Sequence, residues 1–312
     1  DGLIGKTTAA AKLLKRGLSP SALDDLAACP FMFFSKRLLR LPEAEDAGGQ
    51  GTMSSQQLGI LYHETLRAFY AAGFKGDWRP ALAKAAAAVF REDSWRPLGL
   101  YPVLWEAVRQ RALSRLERLV ELDQARLEAE GLFPARFEEE LDGSAGELSL
   151  HGRLDRVDLS KDGKRARVID YKTRYGESRQ PKKVLKLSST QPAVYLELLL
   201  GAGWYKGGPG GVAGVEYLNI EDDEETTGNS WRQTLEGDAW RQSREHLRGA
   251  LETLRGLLAR GEFPISPDEG RMGHCSYCSY ARVCRKSHLP ARSRAEHSHA
   301  RAALGKARGE EA

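Results

Sequence analysis

The chain has 312 residues, 41% of them hydrophobic and 29% charged, with a net charge of +4. This describes an ordinary soluble globular protein of one large or two small domains. No apolar run approaches the ~20 residues of a membrane span and no signal-peptide pattern opens the chain, so membrane classes are excluded and the expected location is cytoplasmic.

Residues 1–18 are rich in small side chains and helical in pattern. GLIGKTT resembles the end of a phosphate-binding loop, but no strand precedes it and nothing later reads as its magnesium-binding partner, so no nucleotide site is expected. Ser19-Pro20-Ser21 is a helix start, with serine as cap and proline in the first turn; the helix is expected over Ala22 to Leu41. Residues 43–57 read as a Gly-rich loop. An amphipathic helix follows over Gly59 to Ala72, with Leu61, Leu66, Phe69 and Tyr70 as packing positions, and further helices fill Pro80 to Glu130. Strands are expected near Arg136–Leu141, Leu148–Leu154 and Gly214–Ile220, and helices over Gln191 to Leu200 and Asp238 to Arg260. The end beyond Leu289 reads as a charged, frayed tail.

Between the second strand and the 191–200 helix lies His151 to Thr173, HGRLDRVDLSKDGKRARVIDYKT, whose halves alternate apolar and polar residues around Asp162-Gly163, a preferred two-residue hairpin turn. That turn pairs Lys161 with Lys164, Leu159 with Ala166, Val157 with Val168 and Asp158 with Arg167. Asp155 then falls opposite Asp170. Two carboxylates facing each other on an apolar face repel and are poorly solvated, so a cation belongs between them. Lys172 follows Asp170 by one strand period and joins the same face. Two acids and a lysine at one point suit a hard divalent metal with a group that handles a proton or stabilises charge. Basic residues follow directly, at Arg174, Arg179, Lys182, Lys183 and Lys186, which suggests a polyanionic substrate.

Four cysteines form a second signal: Cys29, and Cys275-x-x-Cys278-x5-Cys284. Four thiols in an expected cytosolic protein read as a metal site rather than as disulfides, and their number suits both tetrahedral zinc and an iron–sulfur cluster.

The hairpin motifs Gly152-Arg153-Leu154-Asp155-Arg156-Val157-Asp158 and Val168-Ile169-Asp170-Tyr171-Lys172-Thr173 resemble the core of the PD-(D/E)XK nucleases, in the branch of the RecB and AddB nuclease domains, with similarity also to the CRISPR-associated RecB-like exonucleases. Around them, Ser19-Pro20-Ser21-Ala22-Leu23 through Cys29-Pro30-Phe31 resembles that family's opening helix, Gly59-Ile60-Leu61-Tyr62-His63 its glycine–histidine motif, and Gln191-Pro192-Ala193-Val194-Tyr195 its Q-x-x-x-Y motif. The resemblance implies one or two Mg²⁺ or Mn²⁺ ions held by His63, Asp155, Asp170 and the main-chain carbonyl of Tyr171. It implies that Lys172 is catalytic, with Gln191 and Tyr195 lining the site. Glu140, within Phe137-Glu138-Glu139-Glu140-Leu141, is the expected match to a family glutamate, although three adjacent glutamates leave that open. It also implies a four-iron, four-sulfur cluster on Cys29, Cys275, Cys278 and Cys284, with zinc as the other occupant.

The expected architecture is a restriction-endonuclease-like α/β domain over 19–289, with a central mixed sheet flanked by helices. A helical insertion lies at about 75–132, a cysteine cluster joins the ends, an extension occupies 1–18 and a flexible tail 290–312. The expected activity is metal-dependent hydrolysis of DNA as an exonuclease in recombination or repair, on single strands or duplex ends, with a helicase as subunit or fused domain. The alternative is a non-catalytic DNA-binding scaffold of a helicase–nuclease assembly, against which the intact Asp155, Asp170 and Lys172 set argues. The motifs do not separate DNA from RNA.

Overall fold

A computed structural model describes residues 2–43, 53–184, 186–187, 189–225, 227–270 and 273–310. Its centre is a five-stranded mixed sheet in the order β1-β2-β3-β4-β5: β1 (Phe133–Ala145), β2 (Leu148–Leu159), β3 (Ala166–Lys172), β4 (Val212–Asn219) and β5 (Arg232–Glu236). Only β3 and β4 run parallel. The β2–β3 register is the one expected, with Val157 opposite Val168 and Asp158 opposite Arg167. The turn itself is longer, with six residues, 160–165, between the last ladder pair where two were expected. Pairing in the ladder stops at Leu159–Ala166, and the loop closes through Gly163 N to Ser160 O and Ser160 N to Arg165 O. The Asp162 carboxylate tightens it by accepting from Ser160 Oγ at 2.6 Å and Lys164 N at 3.1 Å. The enlargement is symmetric, so the register survives.

The helices cover both faces. On one, α1 (Thr8–Arg16), α2 (Pro20–Ala28), α8 (Gln191–Gly201), α9 (Gly237–Arg260) and α11 (His299–Ala307) enclose a core that includes Leu23, Leu26, Val157, Val168, Leu198, Leu254 and Leu304. On the other, α4 (Ser55–Ala72), α5 (Arg79–Val89) and α6 (Pro102–Glu130) pack Tyr62, Leu66, Trp105, Leu116 and Val120 against Ile169, Tyr171 and Leu218. A short α7 (Pro181–Val184) and then α8 form the crossover joining parallel strands β3 and β4.

Local chemistry sets the boundaries. Ser19 caps α2 by accepting from Ala22 N, with Pro20 at its first position. The helix expected to run to Leu41 instead stops at Ala28: Cys29 precedes Pro30 and is extended (φ −156°, ψ 110°), as a residue before proline prefers. A short α3 (Pro30–Phe33) follows and runs into a π-helical turn, Phe34–Leu38. α4 begins with a reciprocal capping box between Ser54 and Gln57. At the other end, the segment read as a flexible tail carries α10 (Leu289–Glu296) and α11, because Ala291, Ala295, Ala300 and Leu304 fall at helical spacing and are buried. Arg308 then donates to the Ala27 carbonyl at 2.9 Å and ties this end to α2.

The second face of the hairpin is also buried. Asp158 and Arg167 stand opposite each other but form their ion pairs elsewhere: Asp158 with Arg126 of α6 (2.6 Å) and Arg156 (2.7 Å), and Arg167 with Glu130 (2.9 Å). α6 covers this face with its own charges, so the acids and bases on it pair with the helix rather than across the strands.

Candidate active site

The two acids lie where the β2–β3 ladder opens. The last paired residues are Arg156 and Ile169; beyond them Asp155 Oδ2 accepts from the Tyr171 main-chain N at 2.9 Å. Asp155 is 7% exposed and Asp170 1%, so both carboxylates sit in a low-dielectric setting. Burial, and then the charge of Asp170, push the Asp155 carboxyl well above its ordinary range. The site as it stands has more negative charge than it can solvate.

His63 comes to these acids from α4. Four residues before it on the same helix face, Gly59 packs on the end of β3, where a Cβ would come 3.2 Å from Thr173 Oγ1. The missing side chain lets the helix lie close. His63 Nδ1 is 3.3 Å from Asp155 Oδ2, and Nε2 is 2.9 Å from the Tyr171 carbonyl O. Burial lowers its pKa, favouring the neutral imidazole that a metal needs.

Glu138 completes the arrangement. One ligand atom from each of His63, Glu138 and Asp155 lie within 4.8 Å of one another. Of the three consecutive glutamates, Glu138 therefore reaches the acids, while the expected Glu140 lines the cleft and does not join this group. Strand periodicity puts Glu138 and Glu140 on one face and cannot choose between them. The choice is made by the backbone, since Glu138 has φ +49°, a left-handed conformation costly outside glycine and often stored at functional sites. Arg153 neutralises it at 2.8 Å.

Asp170 faces a different set of partners. Lys172 Nζ is 2.5 Å from Oδ2, while Oδ1 accepts from Gln191 Nε2 (2.9 Å) and Tyr195 OH (3.1 Å). Gln191 also donates to Tyr195 OH at 2.7 Å, so these residues, one turn apart on α8, act as a unit. Asp24 of α2 accepts from Thr190 N and, at 2.7 Å, from Thr190 Oγ1, fixing the start of α8. Asp24 was not singled out in the sequence. Desolvation raises its pKa to about 6 despite those bonds.

His63, Glu138, Glu140, Arg153, Tyr171 and Lys172 line an open cleft of about 730 Å³. Glu140 and Arg153 also line a neighbouring trough of similar volume with Gln191 and Tyr195. With metal–oxygen bonds of about 2.1 Å, adjacent ligands of an octahedral ion are about 3 Å apart. The 3.3 Å between His63 Nδ1 and Asp155 Oδ2 has that scale, Glu138 lies within 4.8 Å of both, and Nε2 is occupied by the Tyr171 carbonyl, so one imidazole nitrogen and two carboxylates fit a hard divalent cation.

The chain matches the model of the PD-(D/E)XK nuclease superfamily over residues 17–285. It belongs to that superfamily. The nuclease shows no match among curated proteins. The matched region spans every motif in the cleft and reaches from before α2 to past the last cysteine, in keeping with a restriction-endonuclease-like core and the metal-dependent nuclease chemistry of the superfamily. Among the described residues, no helix is long and apolar enough to cross a membrane.

A second constellation lies at the far end of α2. Cys29, Cys275, Cys278 and Cys284 line one hollow with Phe31, Met32, Ile265 and Pro267. Burial raises the thiol pKa of Cys29, and burial with the charges of the other three cysteines raises that of Cys284. None of the four is in a disulfide.

Proposed function

We propose that this nuclease hydrolyses DNA phosphodiester bonds as an exonuclease on single strands or duplex ends, in the cytoplasm, serving recombination or repair beside a helicase subunit or fused helicase domain. The observation that carries the reading is the convergence of His63, Glu138 and Asp155 beside the Lys172–Asp170 pair, in an open cleft. His63, Asp155, Asp170 and the Tyr171 carbonyl, with Glu138, are the residues that would hold one or two Mg²⁺ or Mn²⁺ ions. A cation there supplies Lewis-acid neutralisation of phosphate charge and activation of water.

The protein's own part follows from its contacts. Asp155 is fixed by the Tyr171 amide, and His63 by the Tyr171 carbonyl, so two adjacent main-chain groups set the geometry. Gln191 and Tyr195 hold Oδ1 of Asp170 and leave Oδ2 to Lys172. Lys172, held against Asp170 Oδ2 at the edge of the cleft, would orient the attacking water or stabilise charge on the phosphate. Digestion of end-labelled and circular DNA, single- and double-stranded, and of RNA, with Mg²⁺ or Mn²⁺ tests this. Loss of activity in Lys172→Ala is expected, and unchanged activity would remove the assignment.

For the four cysteines we propose a four-iron, four-sulfur cluster with a structural role, stapling α2 to the chain's end. All four cysteines are free and line one hollow, which supports a shared metal group, and four thiolates suit an iron–sulfur cluster as well as zinc. Anaerobically purified protein should be brown, and a colourless protein with one zinc would refute the cluster.

A further inference from the structure

Most of the basic run after β3 is solvated: Arg174, Lys182 and Lys186 are exposed, and Lys183 pairs with Glu177 at 2.7 Å. Arg179 differs. It is half-buried, and its guanidinium lies so tightly on the open face of Gly176 that a Cβ there would come 2.5 Å from Cζ. Its acceptor is the Arg174 carbonyl, reached through Nη2. Nε is buried with no acceptor among the described residues.

The loop that carries Arg179 is pinned. Gln233 of β5 holds both main-chain groups of Gly176, accepting from N at 3.2 Å and donating to O at 2.9 Å, and Tyr175 N donates to Asp222. These bonds place the Arg179 Cζ 5.5 Å from the ring centre of Tyr217, which stands opposite Asp170 in the β3–β4 ladder. Lys172 Nζ is 5.7 Å from the same ring centre, so the two cations lie within about 11 Å, the sum of those distances. Arg179 therefore stands beyond Lys172 on the β4 side, next to the cleft lined by His63, Glu138 and Lys172. A guanidinium fixed in place yet only half-buried, beside a site that cleaves phosphodiesters, can offer its exposed edge to phosphate oxygens.

We propose that Arg179 binds a backbone phosphate of the substrate strand adjacent to the scissile one, an assignment that rests on the nuclease reading above. It fixes the strand across β4 while Lys172 and the acids act on the reacting phosphate. The arginine is a ground-state clamp, so its removal weakens binding and spares the chemical step.

The test compares a labelled oligonucleotide with thymidine 5′-(4-nitrophenyl phosphate), which carries only the scissile phosphate, and measures oligonucleotide binding by anisotropy in Ca²⁺ across a salt series. For Arg179→Ala, KM for the oligonucleotide should rise about tenfold with kcat little changed. Hydrolysis of the small ester should be unaffected, and the salt slope of binding should fall by about one. Gly176→Ala keeps the charge but displaces the guanidinium, and should reproduce the KM rise. Lys84→Ala, which removes an exposed charge on α5, should not. Unchanged KM and salt slope in Arg179→Ala overturn the proposal, as does an equal loss of kcat on both substrates. The binding arm reads Arg179 even if the wild-type protein cleaves neither substrate, so failure of the nuclease reading is seen separately.

Discussion

Arg156→Met removes the hub of the charge network beneath the site. The side chain is fully buried and holds Asp123 at 2.8 Å, Asp158 at 2.7 Å and the Tyr171 hydroxyl at 2.7 Å, with Tyr70 stacked at 4.4 Å. Without it, Asp123 and Asp158 are left to share Arg126. Stranding one side of a buried ion network costs about 3–5 kcal/mol. At about 2 °C per kcal/mol for a large domain, the thermal midpoint should fall by about 6–10 °C. The same hub acts on acid stability. Burial alone would raise the Asp123 carboxyl, but the charges of Arg156 and Arg126 outweigh it and hold the pKa at about 2. A depressed carboxyl contributes stability above its unfolded pKa of about 4 and loses it as pH falls toward 2, an effect of about 2 kcal/mol. That acid limb should flatten in the variant. Because Tyr171 also supplies the amide and carbonyl that frame Asp155 and His63, Mn²⁺ affinity should drop about tenfold. Calorimetric titration and thermal unfolding from pH 2 to 7 read all three. A variant within about 1 kcal/mol of wild type, or no milder when combined with Asp123→Asn, would refute the reasoning.

Glu138→Gln should weaken Mn²⁺ binding in calorimetry more than Glu140→Gln does, since only Glu138 joins His63 and Asp155. Asp155→Asn should raise the thermal midpoint of metal-free protein at pH 7 to 8 and abolish the further rise on adding Mn²⁺. The sign follows from the elevated carboxyl: the fold prefers its neutral form, so the stability it contributes is present at low pH and lost as pH climbs through that pKa. Thr190→Val, which removes the hydroxyl bonds to Asp24 and the Pro20 carbonyl, should cost about 1–2 kcal/mol in urea unfolding. Activity should fall with it, as Gln191 and Tyr195 lose their anchor.

The hairpin was readable because strand pairing has a period of two: fixing one pair fixed Val157 to Val168 and aimed Asp155, Asp170 and Lys172 at one place. The helices at Gly59 to Ala72 and Gln191 to Leu200 were readable from amphipathic spacing and proline at a helix start. What stayed hidden depends on backbone detail or distant partners. The left-handed φ of Glu138 selects one glutamate of three, the extended Cys29 before Pro30 ends α2 early, and α6 draws the Asp158 and Arg167 charges, paired with each other by register, into ion pairs of its own. β5 escaped because Arg232–Glu236 is short and mostly polar. Arg179 was one of five charges in a basic run, and only its placement against Gly176 and Tyr217 sets it apart.

The most direct measurement is release of label from end-labelled single-stranded DNA by wild-type, Asp170→Asn and Lys172→Ala proteins, with Mn²⁺ or Mg²⁺ and with chelator. The account predicts cleavage by wild type only when metal is present, and a fall of at least about a hundredfold in each variant. Cleavage that persists in chelator, or a Lys172→Ala protein as fast as wild type, would contradict it.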